Sequence, residues 1–336
     1  MTRVLNNDRP IIVLGCPRSG TTMLQLMLHS HPRIAIAPET RFTLLAYRQR
    51  LDFGNLEAPS GRRVLAESIV ASPAFEKLGL DRQLMVDQIV AGPATVGSAI
   101  GIVLRAYADR FGKPRWGEKR PGYYRYIHVL MRLFPDAQIV HIVRDPRDCI
   151  ASLKRMPWWT QGAYHSAFAW AHSIDLTAKA ARTWPVLRVR YESLVADPEG
   201  ELRKLSAALG EDYVPEMAAP ERLAAAIVPD RGWGHRRTRE KPPTTALIGS
   251  WQGTLEPWEL ALCETVLAGR MERFGYELTD AGRPSPRHLA RYAWVAATRT
   301  QHHRVKLLRD RWQRRSEPNP VAAELTSAQR AAVGVV

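Results

Sequence analysis

An eight-residue loop near the start of the chain has the spacing of an anion-binding turn. It follows the apolar run Ile11–Leu14 and reads Gly-Cys-Pro-Arg-Ser-Gly-Thr-Thr from Gly15 to Thr22. Both glycines and the last threonine match the phosphate loop G-x-x-x-x-G-K-[ST], but Thr21 replaces the lysine that reaches the β- and γ-phosphates. Backbone N–H groups at the start of the next helix still favour an anion. The sequence therefore predicts a cradle for an anion shorter than a triphosphate, with Arg18 supplying positive charge.

A second pair of polar residues follows a later apolar run. Arg144 comes directly after Gln138–Val143, and Ser152 lies two helical turns further along. Ligands of α/β proteins bind at the carboxyl ends of parallel strands, and the forked donors of arginine suit a phosphate. The alternative is that Arg144 pairs with Asp145 or Asp148 while Ser152 faces solvent.

The elements that must position these residues indicate an α/β fold. Apolar runs at Ile11–Leu14, Gln138–Val143 and Val186–Tyr191 read as buried parallel strands, and each is followed by a helical pattern. The expected architecture has three layers (α/β/α) around a central parallel sheet, like that of P-loop NTPases. No acid suited to hold magnesium follows a strand, since Gln138–Val143 runs into Arg144, which disfavours ATP-Mg chemistry.

Together the motifs resemble those of sulfotransferases that use 3′-phosphoadenosine 5′-phosphosulfate (PAPS). "PRSGTT" is similar to the family's 5′-phosphosulfate loop, "VHIVRDPRDCIAS" to its 3′-phosphate motif, and the resemblance covers about residues 10–278. It implies that the 5′ end is held by Arg18, Ser19, Gly20, Thr21 and Thr22. It also implies that Arg144 and Ser152 clamp the 3′-phosphate and that Tyr191, at the end of a strand, lines the nucleotide site. The basic loop Asp230–Lys241 resembles the region that covers the nucleotide in the family.

The same resemblance implies the residues of catalysis. Sulfuryl transfer needs positioning and charge stabilisation, and an alcohol acceptor benefits from a base. "HSHPRIAIAPETR" resembles the segment of tyrosylprotein sulfotransferases and related enzymes whose glutamate is the base, which points to Glu39. Lys119 in "WGEKRP" matches a Lys-x-Pro of these enzymes and supplies the cation at the leaving oxygen, assisted by Arg18. The alternatives are a first-turn carboxylate or partner of Arg41 for Glu39, and a solvated charge for Lys119.

Composition and charge argue against several other classes of function. The chain has 336 residues and a net charge of +15, but ten Lys or Arg and one Asp give +9 between Ala281 and Arg315. The rest is mildly basic, so no nucleic-acid partner is expected. The cysteines Cys16, Cys149 and Cys263 form no metal-binding or disulfide pattern, and no metal is expected. No signal peptide or membrane-spanning run is seen, so the expected location is the cytoplasm, with membrane association through the basic tail as an option.

The chain is expected to divide at residue 280. Residues 1–280 form the sulfotransferase domain, and residues 281–336 a basic C-terminal tail that is helical to about residue 315 and then flexible. The tail is expected to pack on its own domain with a solvated basic face. Peripheral contact with an anionic membrane is the second reading, and a homodimer is left open.

The resulting hypothesis is an enzyme that moves a sulfuryl group from PAPS to a hydroxyl of a carbohydrate, glycolipid or small-molecule metabolite. Acceptor residues are expected in the segments 51–111 and 156–169, whose aromatic side chains suit a sugar or an aromatic ring. Two alternatives stay open. One is a kinase-like P-loop phosphotransferase using ATP-Mg; the other is a non-catalytic adaptor that binds membrane or nucleic acid through its tail.

Overall fold

A five-stranded parallel sheet forms the centre of the protein. The computed structural model describes residues 8–223 and 243–324. The strand order is β2-β3-β1-β4-β5, and every neighbouring pair is parallel. The expected α/β class with a parallel sheet is confirmed. The strands are β1 (Ile11–Gly15), β2 (Ile34–Ala37), β3 (Arg115–Lys119), β4 (Gln138–Val143) and β5 (Val186–Arg190).

Twelve α-helices in the described ranges connect and cover these strands. Short 3-10 turns add to them, including Pro121–Tyr126 after β3 and Thr245–Leu247. The helices are α1 (Thr21–His29), α2 (Phe42–Arg48), α3 (Pro59–Val70), α4 (Arg82–Ala91), α5 (Val96–Asp109), α6 (Ile127–Leu133), α7 (Pro146–Lys154), α8 (Gly162–Ala180), α9 (Tyr191–Ala196), α10 (Pro198–Leu209), α11 (Pro257–Glu272) and α12 (Pro286–Gln313).

Alternate residues of each strand enter different cores, which produces the three layers. Ile12 and Leu14 pack with helices α2 to α6 on one face of the sheet. Ile11 and Val13 pack with α1, α9 and α10 on the other face. This separation follows from the two-residue period of a strand, whose successive side chains point to opposite faces. Helices α7, α8 and α11 share a third apolar cluster beside β4.

The two central strands β1 and β4 mark the point where the chain changes direction across the sheet. The connection after β1 leads to β2 on one side, whereas the connection after β4 leads to β5 on the other. Loops that diverge in this way open a crevice at the carboxyl ends of the strands, where doubly wound sheets bind their ligands. The fold thus places the candidate site above β1 and β4.

The basic tail begins with a long helix that lies against the body. Helix α12 contacts α8. Val295 is the one residue of α12 that is buried. In its second half Val305, Leu308 and Trp312 are more than half exposed. The expected helix is present, and the division at residue 280 stays a prediction.

The segment after α12 is joined to the body by backbone and ionic contacts. The carbonyl of Val321 accepts a hydrogen bond from the Gly97 N–H at 2.9 Å. Glu317 pairs with Arg132 at 2.6 Å and with the buried Arg50. Flexibility was expected after about residue 315, and residues 325–336 lie outside the described part. Across the described ranges, no helix has the length and apolar character needed to cross a membrane.

Candidate active site

Each of the five parallel strands delivers a predicted site residue at its carboxyl end. Strand β1 leads into the phosphate loop, and β3 ends at Lys119 itself. Glu39, Arg144 and Tyr191 follow β2, β4 and β5 by two, one and one residues. Because these ends share one edge of the sheet, residues that are up to 173 positions apart in the sequence meet in space.

The phosphate loop turns tightly between β1 and α1. The N–H and hydroxyl groups of Ser19 both donate to the Cys16 carbonyl, at 3.1 and 2.7 Å. Gly20 has a φ of +97°, a backbone conformation that glycine adopts without strain. A Cβ atom on Gly15 would lie 2.6 Å from the Ile142 carbonyl oxygen. The glycines are therefore required by the turn and by its close approach to β4.

Arg18 and Arg144 meet beside the loop, together with Ser152 and Tyr191. The Arg18 Nε atom donates to Ser152 Oγ at 2.9 Å, and the Arg144 guanidinium lies 4.4 Å from the centre of the Tyr191 ring. Burial, and then the charge of Arg144, lowers the pKa of Arg18. Arg18 also holds a φ of +72°, which is uncommon outside glycine. The partly buried Arg18 on the strained loop and the buried Arg144 beside it form an environment that favours an anion.

A buried carboxylate fixes Arg144 and the turn that follows the undescribed segment 224–242. Asp148 lies 3.3 Å from Arg144 Nη2, so the pairing considered as an alternative is present. Asp148 also accepts hydrogen bonds from Gly249 N, Ser250 Oγ and Trp251 N at 2.9–3.1 Å. Arg144 in turn donates to the Leu247 carbonyl at 2.6 Å. From the sequence, Asp148 was considered only as an alternative ion-pair partner of Arg144. In the structure it also holds the turn at residues 249–251 beside Arg144.

Lys119 contacts both helix α1, which follows the phosphate loop, and Glu39. Its Nζ atom lies 3.2 Å from Thr22 Oγ1 and 3.2 Å from Glu39 Oε1. The Lys119 side chain is 4% exposed and that of Glu39 is 31% exposed, so the carboxylate faces the open side of the pair. Burial lowers the pKa of Lys119, and the Glu39 charge opposes that shift. The pairing keeps a cation and a partly exposed carboxylate next to the phosphate loop.

Glu118 is a neighbouring residue that the sequence reading missed. Its buried carboxylate accepts hydrogen bonds from Thr43 Oγ1 at 2.8 Å and from Thr40 Oγ1. Thr40 directly follows Glu39, so Glu118 ties the Glu39 segment to the end of β3. Burial raises the pKa of Glu118, while the hydrogen bonds from Thr40 and Thr43 work in the opposite direction. The only sequence signal was two threonines after Glu39 and an acid beside Lys119.

The structure therefore brings the ten predicted residues to one edge of the sheet. They form two adjoining groups: Glu39, Lys119 and Thr22; and Arg18, Ser19, Gly20, Arg144, Ser152 and Tyr191, with Thr21 buried at the start of α1. The predicted role of residues 230–241 concerns a segment outside the described residues. No group of three or more potential metal ligands occurs in the described ranges.

Comparisons with known proteins agree with this arrangement. The model described as "Sulfotransferase family" matches residues 10–215, more than half of the chain. Protein-tyrosine sulfotransferase 1 of Danio rerio is 26% identical over 302 residues, covering 84% of this chain and 78% of that protein. Nodulation protein NoeE of Sinorhizobium fredii is 27% identical over 293 residues, covering 79% of this chain and 65% of NoeE.

Solved structures show the same fold. The sulfotransferase domain from the Synechococcus PCC 7002 olefin synthase superposes with a TM-score of 0.58 at 26% identity, covering 82% of this chain and 98% of that domain. The sulfotransferase domain from the curacin biosynthetic pathway gives a TM-score of 0.56 at 21% identity, covering 81% and 99%. With the family model, these likenesses settle the class: the chain belongs to the sulfotransferase family and is a sulfotransferase enzyme.

Proposed function

We propose that this sulfotransferase moves a sulfuryl group from PAPS to a hydroxyl group, with Glu39 as the general base. The observation that carries the proposal is the position of Lys119 between Thr22 of the loop helix and Glu39, at 3.2 Å from each. One cation thereby links the predicted donor side of the site to the predicted acceptor side.

The residues at the loop fit a donor with two separate anionic groups. The lack of a Cβ atom on Gly15 and Gly20 lets the loop pack closely against Ile142 and Tyr191, which a Cβ atom would approach within 2.7 Å. The Nε atom of Arg144 is buried and has no hydrogen-bond partner in the described part of the chain. We propose that the loop residues 18–22 hold the 5′ end, that Arg144 and Ser152 hold the 3′-phosphate, and that Tyr191 lines the nucleotide site.

The donor, when bound, supplies the sulfuryl group. The chain's own residues then have three tasks. Glu39 accepts the proton of the acceptor hydroxyl, because its carboxylate is partly exposed at the edge of the pair. Lys119 and Arg18 place positive charge where negative charge grows on the leaving oxygen. The buried Glu118 holds the Glu39 segment in place through Thr40.

The acceptor is the finer part of the proposal. We propose a hydroxyl of a carbohydrate, glycolipid or small molecule, as the sequence suggests. A protein tyrosine is the second candidate, because the Danio rerio relative is named a protein-tyrosine sulfotransferase. Both acceptors present a hydroxyl to Glu39, so the same catalytic residues serve either one.

A kinase-like use of ATP-Mg and a non-catalytic adaptor do not fit a member of the sulfotransferase family. A cytoplasmic location, peripheral membrane contact through the tail and a homodimer stay predictions.

The experiment that tests the donor compares thermal stabilisation by 3′-phosphoadenosine 5′-phosphate (PAP), the product left by the donor, with that by ATP-Mg. We expect PAP to raise the unfolding temperature, because a ligand that binds only the folded state stabilises it by mass action. Stabilisation by ATP-Mg in preference to PAP would overturn the proposed donor. Labelled PAPS with sugar, phenol and tyrosine-peptide acceptors then identifies the acceptor class.

A further inference from the structure

A second cavity lies between α8, α12 and the 3-10 helix Pro121–Tyr126. Its volume is about 260 Å³, enough for a ring-sized ligand with one charged group. None of the residues assigned above to the donor site, the base or its cation lines it. The tail helix α12 supplies one wall, so the cavity uses a part of the chain that the proposed chemistry leaves unexplained.

The cavity is strongly and asymmetrically charged. Arg125, Arg299 and Lys306 line it, and no Asp or Glu does so within the described ranges. None of these three cations has a carboxylate within ion-pair distance in the part of the chain that the structure describes. Burial, followed by the charges of Arg125 and Lys306, lowers the pKa of His303 at the same wall. Cations that face one another without an acid attract an anion.

A buried imidazole without a partner faces the same space. His172 is 9% exposed, and its Nδ1 atom has no hydrogen-bond partner among the described residues. Burial lowers the pKa of His172 to about 4, with further lowering by His303 and Arg125. Buried polar atoms are nearly always satisfied in folded proteins. The fold itself thus leaves one polar atom unsatisfied in the wall of the cavity.

Aromatic side chains form the rest of the lining. Trp159, Phe168 and Tyr126 border the cavity, and the Phe168 ring lies 4.9 Å from the ring of His172. Flat apolar walls favour a ring, whereas the cations favour its negatively charged substituent. The preferred ligand is thus an anion carried on an aromatic or sugar ring.

The cavity lies on the side of the sheet that carries the catalytic residues. Trp170, next to the lining residue Ala169 on α8, donates its Nε1–H to the carbonyl of Arg144 at 2.8 Å, at the carboxyl end of β4. The 3-10 helix that supplies Arg125 begins at Pro121, two residues after Lys119. Both walls therefore adjoin the edge of the sheet where the strands end.

We propose that this cavity is a subsite for the acceptor, which holds a phosphate or carboxylate group carried on its ring while a hydroxyl is sulfated at Glu39. The proposal rests on the proposed function and narrows its acceptor class to anionic ring compounds. It also assigns a role to α12, whose Arg299 and Lys306 close the cavity.

Calorimetric titration of the full chain, with the donor site saturated by PAP, tests the binding. Phenyl phosphate and benzoate are the anionic probes, and benzyl alcohol is the uncharged one. We expect at least one anion to bind about tenfold or more tighter than benzyl alcohol, since hydrogen bonds to a charged group are stronger than neutral ones. The two anions also distinguish a phosphate-bearing acceptor from a carboxylate-bearing one.

Variants separate this cavity from general charge effects. Arg299→Gln and Lys306→Gln remove exposed lining cations, and Arg304→Gln removes an equally exposed cation on the same helix that does not line the cavity. We expect about tenfold weaker anion binding in the first two and no change in the third. Absence of anion binding, or an equal loss of anion affinity in Arg304→Gln, would contradict anion binding in this cavity.

Transfer assays test the acceptor role separately. With PAPS as donor, 4-hydroxyphenyl phosphate or 4-hydroxybenzoate should have a lower KM than phenol, and Lys306→Gln should raise that KM with kcat unchanged. Equal KM values for charged and uncharged phenols overturn the acceptor role. PAP affinity, measured in the same proteins, tests the donor assignment. Failure of the wild-type protein to bind PAP would contradict the proposed donor and would not bear on the cavity.

Discussion

Lys119 Nζ lies 3.2 Å from Glu39 Oε1 and 3.2 Å from Thr22 Oγ1, so one ammonium group connects the ends of three strands. This contact follows from the strand order, because β3 lies between β1 and β2 and its last residue reaches the segments after both. Burial of the Lys119 side chain strengthens its electrostatic effect on its neighbours. Lys119 thus links the proposed donor site to the proposed base Glu39.

Lys119→Met should lower kcat by about 10²–10³-fold, the usual effect of removing one group that stabilises charge in the transition state. PAP affinity, followed by calorimetry, should change much less than kcat. Lys204→Met is the matched control, because Lys204 is an exposed lysine on α10. A kcat for Lys119→Met within twofold of the control would exclude the proposed role.

Arg144→Ala should weaken PAP binding by about ten- to a hundredfold, since a buried charge-assisted contact with the 3′-phosphate is removed. Affinity for adenosine 5′-phosphate, which lacks that group, should change little. Arg188→Ala, an exposed arginine on β5, is the control. Equal losses for both nucleotides in Arg144→Ala would show that Arg144 does not read the 3′-phosphate.

Gly20→Ala should impair the donor site more than the fold. Gly20 has a φ of +97°, and a Cβ atom there would lie 2.7 Å from the Tyr191 ring. Gly112 also has a positive φ, of +64°, but a Cβ atom there would meet nothing within 4 Å. Both substitutions carry backbone strain of about 1 kcal/mol or more, whereas only Gly20→Ala displaces Tyr191. Thermal unfolding and PAP titration of the two variants separate these effects, and equal PAP affinities would contradict the assignment of Tyr191.

The pH dependence of stability should reveal the buried Glu118. Burial raises the pKa of its carboxyl group. The folded state therefore binds this proton more tightly than the unfolded chain, in which the pKa of a glutamate is about 4.3. The contribution of Glu118 to the free energy of unfolding is therefore greatest below about pH 4 and declines as the pH rises through the folded pKa. Glu118→Gln, which is neutral at every pH, should lack this decline.

Urea unfolding of wild type and Glu118→Gln at several pH values measures the difference directly. The free energy of unfolding of wild type minus that of the variant should fall as the pH rises above about 4, through the raised pKa of Glu118. The acid Glu67, half exposed on α3, offers Glu67→Gln as a control for a surface carboxyl. A flat or rising difference for Glu118→Gln would mean that Glu118 is charged at no cost in the folded state.

The sequence was informative where apolar runs and turn motifs coincide. Strands β1, β4 and β5 were predicted within one residue, because each is a short run rich in aliphatic residues followed by a helix. Strand β5 was expected to be buried, but only Val189 is, and Arg188 is exposed. The phosphate loop was recognisable because its glycines are required by local backbone geometry, which is encoded in adjacent residues. The ten site residues follow from these elements and from the family resemblance, and their individual roles stay predictions.

Strands whose buried polar residues pair with residues far away in the sequence could not be predicted from local patterns. Strand β3 reads "RWGEK" and was not predicted as a strand, although all five residues are buried. Its charged side chains have partners far away in the sequence. Arg115 pairs with Glu211 and Lys119 with Glu39, and Glu118 accepts hydrogen bonds from Thr40 and Thr43. Residues 52–62 contain glycine and proline, which favour a loop, yet α3 begins within them at Pro59, because proline is well tolerated in the first helical turn.

Transfer of labelled sulfate from PAPS by wild type and Glu39→Gln tests the central claim most directly. The assay uses the best hydroxyl acceptor of the panel, and both proteins are first shown to bind PAP equally. Loss of the general base should reduce kcat by about 10²–10⁴-fold. Undiminished transfer by Glu39→Gln, with PAP binding intact, would contradict Glu39 as the base.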